Sequence, residues 1–252
     1  MSIFLEVNHL NLDIPVFHVS RSFRTSLLNK YTGGIINQVK PNMVSIRALH
    51  DIHFRLESGD RLGLIGHNGA GKTTLLRVLA KIYKPVSGVY HYNGKISSLF
   101  NMSVGLNLDD SGIENIYTIG MHLGMHKNDI EQKKQEIIDF SDLGEFIHLP
   151  VRTYSAGMQT RLSFSIATAL EPDILLMDEE IGAGDAHFTE KAKVRLTDFY
   201  AKTSIMVLAS HSMDLIKQLC NKALLLDHGH QIIFGDVDEV FLKYKAMTAI
   251  EA

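Results

Sequence analysis

No stretch of this 252-residue chain approaches the run of about eighteen apolar residues that a membrane-crossing helix needs. Its start, Met1-Ser2-Ile3-Phe4-Leu5-Glu6, has neither the basic opening nor the apolar core of a secretory signal. Cysteine is almost missing: Cys220 alone cannot form an internal disulfide, which suits a reducing compartment. An excess of positive charge is missing too, with 25 Lys and Arg against 28 Asp and Glu and a net charge of −3. Nucleic acid is therefore not an expected partner. Internal repeats and low-complexity tracts are absent. These absences predict a chain soluble by itself in the cytoplasm and long enough to bury a sizeable core, with one α/β domain as the default.

What the chain does contain is organised around Gly66-His67-Asn68-Gly69-Ala70-Gly71-Lys72-Thr73-Thr74. The apolar Arg61-Leu62-Gly63-Leu64-Ile65 before it has strand length, and Leu75-Leu76-Arg77-Val78-Leu79-Ala80 after it has helical spacing. Strand, glycine-rich loop and helix in that order make a P-loop. Gly66, Gly69 and Gly71 let successive N–H groups converge on one phosphate-sized hollow, and the following helix start adds positive potential. Lys72 is placed to reach the β- and γ-phosphates of a nucleotide, Thr73 to offer its hydroxyl to magnesium, and Thr74 to sit near the α-phosphate.

A second stretch with chemical content is Tyr154-Ser155-Ala156-Gly157-Met158-Gln159. Apolar residues at Met158, Leu162, Ile166, Ala169 and Leu170 predict a helix with Ser155 as N-cap, ended by Glu171-Pro172. Its start is a further potential anion site, although an ordinary N-cap reads the same way. Asp173-Ile174-Leu175-Leu176-Met177-Asp178-Glu179-Glu180 follows, an apolar strand of the kind buried on both faces, with carboxylates crowding its C-terminal end. Two like charges 4 Å apart repel by about 4 kcal/mol at an effective dielectric of 20, so the cluster calls for a cation or a proton. Magnesium held through Asp178, with Glu179 orienting an attacking water, answers that call. His211, in Ser210-His211-Ser212, ends the strand Ser204 to Ala209 and is a candidate phosphate contact.

The remaining segments frame these. Residues 5–14 and 45–56 alternate apolar and polar residues as half-buried strands do. The span from Ser20 to Val44 reads as a surface excursion, with Tyr31-Thr32-Gly33-Gly34 and Pro41-Asn42 as turns. Val89-Tyr90-His91-Tyr92 before Asn93-Gly94 is a hairpin signal. From Gly112 to Pro150 the spacing is helical, and the charged run from Glu131 to Glu136 reads as a solvated helix face.

Taken in order, a Walker A loop (Gly66 to Thr74), a signature (Ser155 to Met158), a Walker B strand (Ile174 to Asp178), Glu179, Gly182-Ala183-Gly184-Asp185 and His211 resemble the nucleotide-binding domain of ATP-binding cassette transporters. The resemblance spans essentially the whole chain. It implies a P-loop α/β core with an antiparallel β lobe and an inserted helical subdomain, divided at about 1–98 and 171–252 for the core and 99–170 for the helical part. It implies ATP and Mg2+ as cofactors and a head-to-tail homodimer, in which Ser155 and Gly157 of one copy face the γ-phosphate at the other's Walker A loop. Glu179 would then be the catalytic base, Asp185 would communicate across the dimer, His211 would sense the γ-phosphate, and Phe23 would stack on adenine.

More narrowly, Tyr154 to Met158 with Arg161-Leu162, the Gly112-Ile113-Glu114-Asn115-Ile116 segment, Asp142 to Ile147 and Gly182 to Ala186 look like the ATPase subunit of bacterial polysaccharide exporters. Those ATPases serve O-antigen, capsule or teichoic-acid polymers at the cytoplasmic face of the inner membrane, through separate permease subunits. This implies two permease copies as partners and a polysaccharide as indirect substrate.

Departures from the family pattern are confined. The signature reads Ala156-Gly157-Met158 where Gly-Gly-Gln is usual, and Asn101 stands about where the family's Q-loop glutamine would meet magnesium or water. The chain stops at Ala252, so it is expected not to recognise the polymer end itself. Competing readings are a soluble cassette ATPase acting on DNA or the ribosome, a cassette ATPase for another substrate, a small-molecule kinase, and a module that binds without hydrolysing.

Overall fold

The structure, a computed structural model, describes residues 2–17, 35–40, 43–100, 105–178 and 186–248, with side chains at 16–17, 35–40, 43–44 and 186–187 left aside. The chain divides into two compact units: Met1–Gly94 with Ile205–Ala252, and Lys95–Ser204.

The first unit is a mixed sheet whose strand order is β5-β1-β3-β10-β9-β4-β8. Its strands are β1 (Phe4–Phe17), β2 (Ile35–Lys40), β3 (Met43–Glu57), β4 (Arg61–Ile65), β5 (Ser87–Asn93), β8 (Ile205–Ala209), β9 (Lys222–Asp227) and β10 (His230–Asp236). On one side β1 pairs antiparallel with β3 and with β5, while β10 pairs antiparallel with β9 and parallel with β3. The other side is parallel, with β4 between β8 and β9.

The alternation read in residues 5–14 and 45–56 corresponds to this antiparallel part, where Leu5, Val7, Leu10 and Leu12 meet Leu49, Ile52, Phe54 and Leu56 in the core. The parallel strands are apolar throughout because both faces are covered: all five residues of β8 are buried. Gly63 shows how tightly β4 is covered, since a Cβ there would stand 2.4 Å from Cγ2 of Ile216 on α6 (Met213–Leu219). Helices α1 (Lys72–Leu79) and α7 (Val237–Thr248) complete this unit.

The second unit carries the parallel pair β6 (Ile96–Leu99) and β7 (Ile174–Asp178), with helices α2 (Gly112–His122), α3 (Lys127–Ser141), α4 (Ala156–Ala167) and α5 (Ala186–Lys202). Phe140, Phe164 and Phe188 join α3, α4 and α5, with ring centroids 5.4 to 6.0 Å apart. Phe164 and Phe188 are almost wholly removed from solvent, so this aromatic knot is the core of the helical layer.

Several expectations are corrected. Residues 35–40 are not a surface excursion but a strand, β2, paired antiparallel with β3, which itself begins at Met43. The Asn93-Gly94 turn closes no hairpin: β5 pairs with β1, whereas β6 pairs in parallel with β7. A local turn signal specifies a change of direction, while the strand's partner is chosen by the hydrophobic face it has to cover. The helix after Ser155 ends at Ala167, before Glu171-Pro172, where the Thr168 hydroxyl donates to the Phe164 carbonyl at 2.8 Å. The charged run on α3, by contrast, is a solvated face as expected, with four of its six residues exposed and none buried, and it carries ion pairs from Lys133 to Glu171 at 2.7 Å and from Glu136 to Arg195.

Candidate nucleotide-binding site

The loop from Gly66 to Gly71 leaves the buried end of β4 and turns into α1 with φ values of 150° at Gly66, 82° at Gly69 and 110° at Gly71. These are left-handed or glycine-only conformations, so each of the three glycines is required by the path of the chain. Gly66 is needed for close approach as well: a Cβ there would lie 2.3 Å from the Leu226 carbonyl oxygen on β9. Ala70 is fully buried, and its N–H donates to the His67 carbonyl at 3.1 Å. Gly71 caps α1 without a side-chain bond. No side chain at the cap takes up the first N–H groups of the helix, as a serine or aspartate there would.

Lys72 is 7% exposed, and its Nζ donates to the carbonyls of Gly66 at 2.7 Å and His67 at 3.1 Å. The ammonium is thus held inside the curl of the loop. Thr73 and Thr74 follow on the first turn, both half-buried.

A support for this loop that the sequence reading missed is the turn between β9 and β10, Asp227-His228-Gly229. Gly229 (φ 81°) donates its N–H to the Ala70 carbonyl at 2.9 Å and accepts from the His50 N–H at 2.8 Å. A Cβ on Gly229 would lie 2.5 Å from the Ala48 carbonyl oxygen. The apolar Ala223-Leu224-Leu225-Leu226 run ending in Asp227-His228-Gly229 was the available signal for this strand and turn.

The parallel register of β4 and β8 sets Leu64 beside Ala209, so the β8 tip that continues into Ser210 and His211 lies next to the phosphate loop. His211 is exposed. Ser210 Oγ accepts from the Ser212 N–H at 3.0 Å, and Ser212 caps α6 by accepting from Leu215 N–H. Both serines are thereby fixed, and His211 is presented between them.

In the second unit Ser155 is the N-cap expected of it: extended (φ −66°, ψ 161°), with Oγ accepting from the Met158 N–H at 3.2 Å. What sets its position is Tyr154. That ring is buried, and its hydroxyl donates to the Phe146 carbonyl at 2.6 Å. Burial pushes the Tyr154 phenol above its ordinary range, against a smaller opposing effect from the Gly112 N–H. Gly112 leaves room for the ring, since a Cβ there would lie 2.6 Å from the hydroxyl and 2.7 Å from Cδ1 of Ile147.

The strand of chain before α2 is pinned to the same place. Val151 N–H donates to the Asp110 carbonyl at 2.9 Å and Arg152 N–H to the Leu108 carbonyl at 2.8 Å. Fully buried Asn115 bonds the backbone of Asn107, Asp110 and Ser111. A capping box, Ser111 with Glu114, starts α2 and holds the Glu114 carboxyl below its usual range. Gly157 is on the first turn of α4, and Asp178 ends β7 half-buried.

Phe23, Asn101, Glu179 and Asp185 lie outside the described residues. Of the other expected site residues, the structure brings the Gly66–Thr74 loop and His211 together in the first unit. It places Ser155, Gly157 and Asp178 in the second.

Comparison with known proteins gives this arrangement a family. Residues 49–182 match the model of the family described as "ABC transporter". The chain is 45% identical over 222 residues to an O-antigen export system ATP-binding protein of Yersinia enterocolitica, covering 88% of this chain and 93% of that one. It is 38% identical to a teichoic acids export ATP-binding protein of Bacillus anthracis, over 81% of this chain but 38% of that longer one. Among solved structures it resembles, with a TM-score of 0.63 and 17% identity, an ATP-binding cassette described as a dimer in a post-hydrolysis state bound to ADP and phosphate. That likeness covers 92% of this chain and 98% of the other. A phosphate loop, a capped signature helix and a carboxylate-tipped strand in this order, together with these matches, show that the chain belongs to the ABC transporter family and is an ATPase of that family.

Proposed function

We propose that the chain is the ATP-hydrolysing subunit of a bacterial exporter of a cell-surface polysaccharide, of O-antigen or related type. The observation that carries this reading is its 45% identity to an O-antigen export ATP-binding protein across nearly the full length of both. Gly112, Ile147 and Tyr154, which belong to three of the segments that look like polysaccharide exporters, pack against one another next to Ser155. The cassette ATPases of DNA repair or translation are not favoured by these matches.

Two copies act head to tail. The N–H groups of residues 69 to 74 and the Lys72 ammonium hold the β- and γ-phosphates of ATP in one copy. Ser155 and the start of α4 from the other copy close over the γ-phosphate, where a helix N-terminus stabilises negative charge. A hydroxyl and a carboxylate are the hard oxygen donors that magnesium prefers, so Thr73 and Asp178 fit it; when bound it neutralises phosphate charge. Glu179 orients the attacking water, His211 contacts the γ-phosphate from the β8 tip, Asp185 reaches across the dimer and Phe23 stacks on adenine. Asn101 stands in for the family's Q-loop glutamine.

Residues 99–170 form the helical subdomain, through which closure of the dimer is passed to two copies of a membrane permease. Among the described residues no helix is long and apolar enough to cross a membrane. In this reading the subunit sits on the cytoplasmic face of the inner membrane against that permease.

The test is deletion of the gene followed by complementation with wild-type or Glu179→Gln protein, scored by surface polysaccharide. Restoration by wild type alone supports the proposal. Surface polysaccharide unaltered by the deletion would refute it.

A further inference from the structure

Where the phosphate loop meets the β9–β10 turn, three side chains converge, His67 from the loop and Asp227 and His228 from the turn. His67 Nε2 lies 3.0 Å from Asp227 Oδ1, and His228 Nε2 lies 3.8 Å from the same oxygen. The two imidazole rings are 4.5 Å apart at 55°. All three ligand atoms fall within 4.8 Å of one another, and the side chains remain 35% to 59% exposed, so the group is open to solutes.

The hydrogen bonding within this group sets which nitrogen of His67 faces the carboxylate. His67 Nδ1 lies 2.7 Å from the Asn68 carbonyl oxygen, which can only accept, so Nδ1 carries the proton. In the neutral ring Nε2 is then a bare lone pair, and it points at a carboxylate oxygen that is also an acceptor. The contact is satisfied by a proton on Nε2, as an imidazolium–carboxylate pair, or by a metal ion lying against both atoms. Nδ1–H bonded to a backbone carbonyl, with Nε2 turned toward the other ligand atoms, is also the arrangement by which metal-ligating histidines are oriented.

We propose that His67 Nε2, the Asp227 carboxylate and His228 Nε2 form a binding site for a divalent transition metal ion of the zinc class, with a fourth position left to water. Ligand atoms about 2.0–2.1 Å from zinc stand about 3.3 Å apart in a tetrahedron. The observed separations of 3.0 and 3.8 Å bracket that spacing. Two imidazoles and one carboxylate select zinc, nickel or copper over magnesium, so the ion that accompanies ATP does not compete for the site. A metal here ties the outer shoulder of the phosphate loop to the β9–β10 turn, which already holds the loop through Gly229 and Ala70. The open side faces a hollow lined by Tyr244, Met247 and Thr248 of α7.

The experiment uses the full chain stripped with a chelator and then titrated with Zn2+ against a chromophoric competitor, without nucleotide. Wild type takes up one tight equivalent and gains thermal stability with it. Asp227→Asn and His228→Gln each weaken that equivalent by about tenfold or more, since one ligand of three is lost. The exposed His9, Asp51 and His53 group is the control, and His9→Ala with His53→Ala leaves the tight equivalent in place. Both single variants alter surface side chains, and a thermal melt without metal shows that each is folded. The proposal is overturned if wild type binds no tight zinc, if both variants bind it as wild type does, or if the control variant is the one that loses it. ATP turnover is not read, so failure here leaves the exporter reading untouched.

Discussion

The Tyr154 hydroxyl occupies the space in which a side chain on Gly112 would begin, 2.6 Å from where that Cβ would stand. Tyr154 is covalently next to Ser155, so a glycine at the start of α2 controls the placement of the cap of α4. Gly112→Ala forces the ring or the helix to move. Overpacking of this kind costs about 1–3 kcal/mol. The expected result is a lower midpoint in urea together with a fall in ATP turnover at saturating ATP. Unaltered turnover would detach Tyr154 packing from the work of Ser155.

Lys72→Ala acts on nucleotide binding itself. Hydrogen bonds to a charged group contribute about 1.5–3 kcal/mol, and 1.4 kcal/mol is tenfold in affinity, so ATP should bind at least about tenfold more weakly. Calorimetric titration of the variant with Mg-ATP measures it. Undiminished affinity would contradict the role given to the ammonium inside the loop.

Phe164 has no solvent exposure and meets Phe140 and Phe188 at 6.0 and 5.5 Å. Phe164→Ala leaves a cavity where three helices meet and should cost about 3–5 kcal/mol in denaturant unfolding. A loss below about 1 kcal/mol would mean that the aromatic knot does not hold the helical layer.

Burial pushes the Cys220 thiol up to about 12. The unfolded chain's thiol ionises near its ordinary value of about 8.5, so between that pH and 12 the unfolded state loses a proton that the folded state keeps. The stability contributed by the neutral thiol is therefore complete below about pH 8.5 and falls as pH rises, with a limiting slope of about 1.4 kcal/mol per pH unit. Cys220→Ser should flatten the alkaline limb of the stability–pH curve. A wild-type limb unaltered by that change would remove the thiol as its source. In the folded protein at pH 8, thiol reagents should react with Cys220 only at the rate of opening.

The conformation of the phosphate loop and of the Ser155 cap was more legible in the sequence than the pairing of the sheet, for a physical reason. A phosphate loop is local: Gly66, Gly69, Gly71 and Lys72 take their conformations from their own backbone and immediate neighbours, and the structure has them as read. The Ser155 cap is equally local. The buried runs of β4, β7 and β8 declared themselves by being apolar on both faces. By contrast Ile35-Ile36-Asn37-Gln38 carries no strong alternation and becomes a strand only because β3 extends to pair with it. Asn93-Gly94 suggested a hairpin whose second strand in fact serves another sheet pairing. The Gly229 support of Ala70 and the fit of Tyr154 over Gly112 join segments distant in sequence, where spacing patterns carry no signal.

The central claim is that one ATP is clasped between the Lys72 loop of one copy and the Ser155 helix start of another. Its most direct test is the mass in solution of Glu179→Gln protein, measured by sedimentation with and without Mg-ATP, alongside the same protein carrying Ser155→Arg. The account predicts an ATP-dependent shift from monomer to dimer that the added Ser155→Arg abolishes. A mass that ATP does not change, or a dimer indifferent to Ser155→Arg, would contradict it.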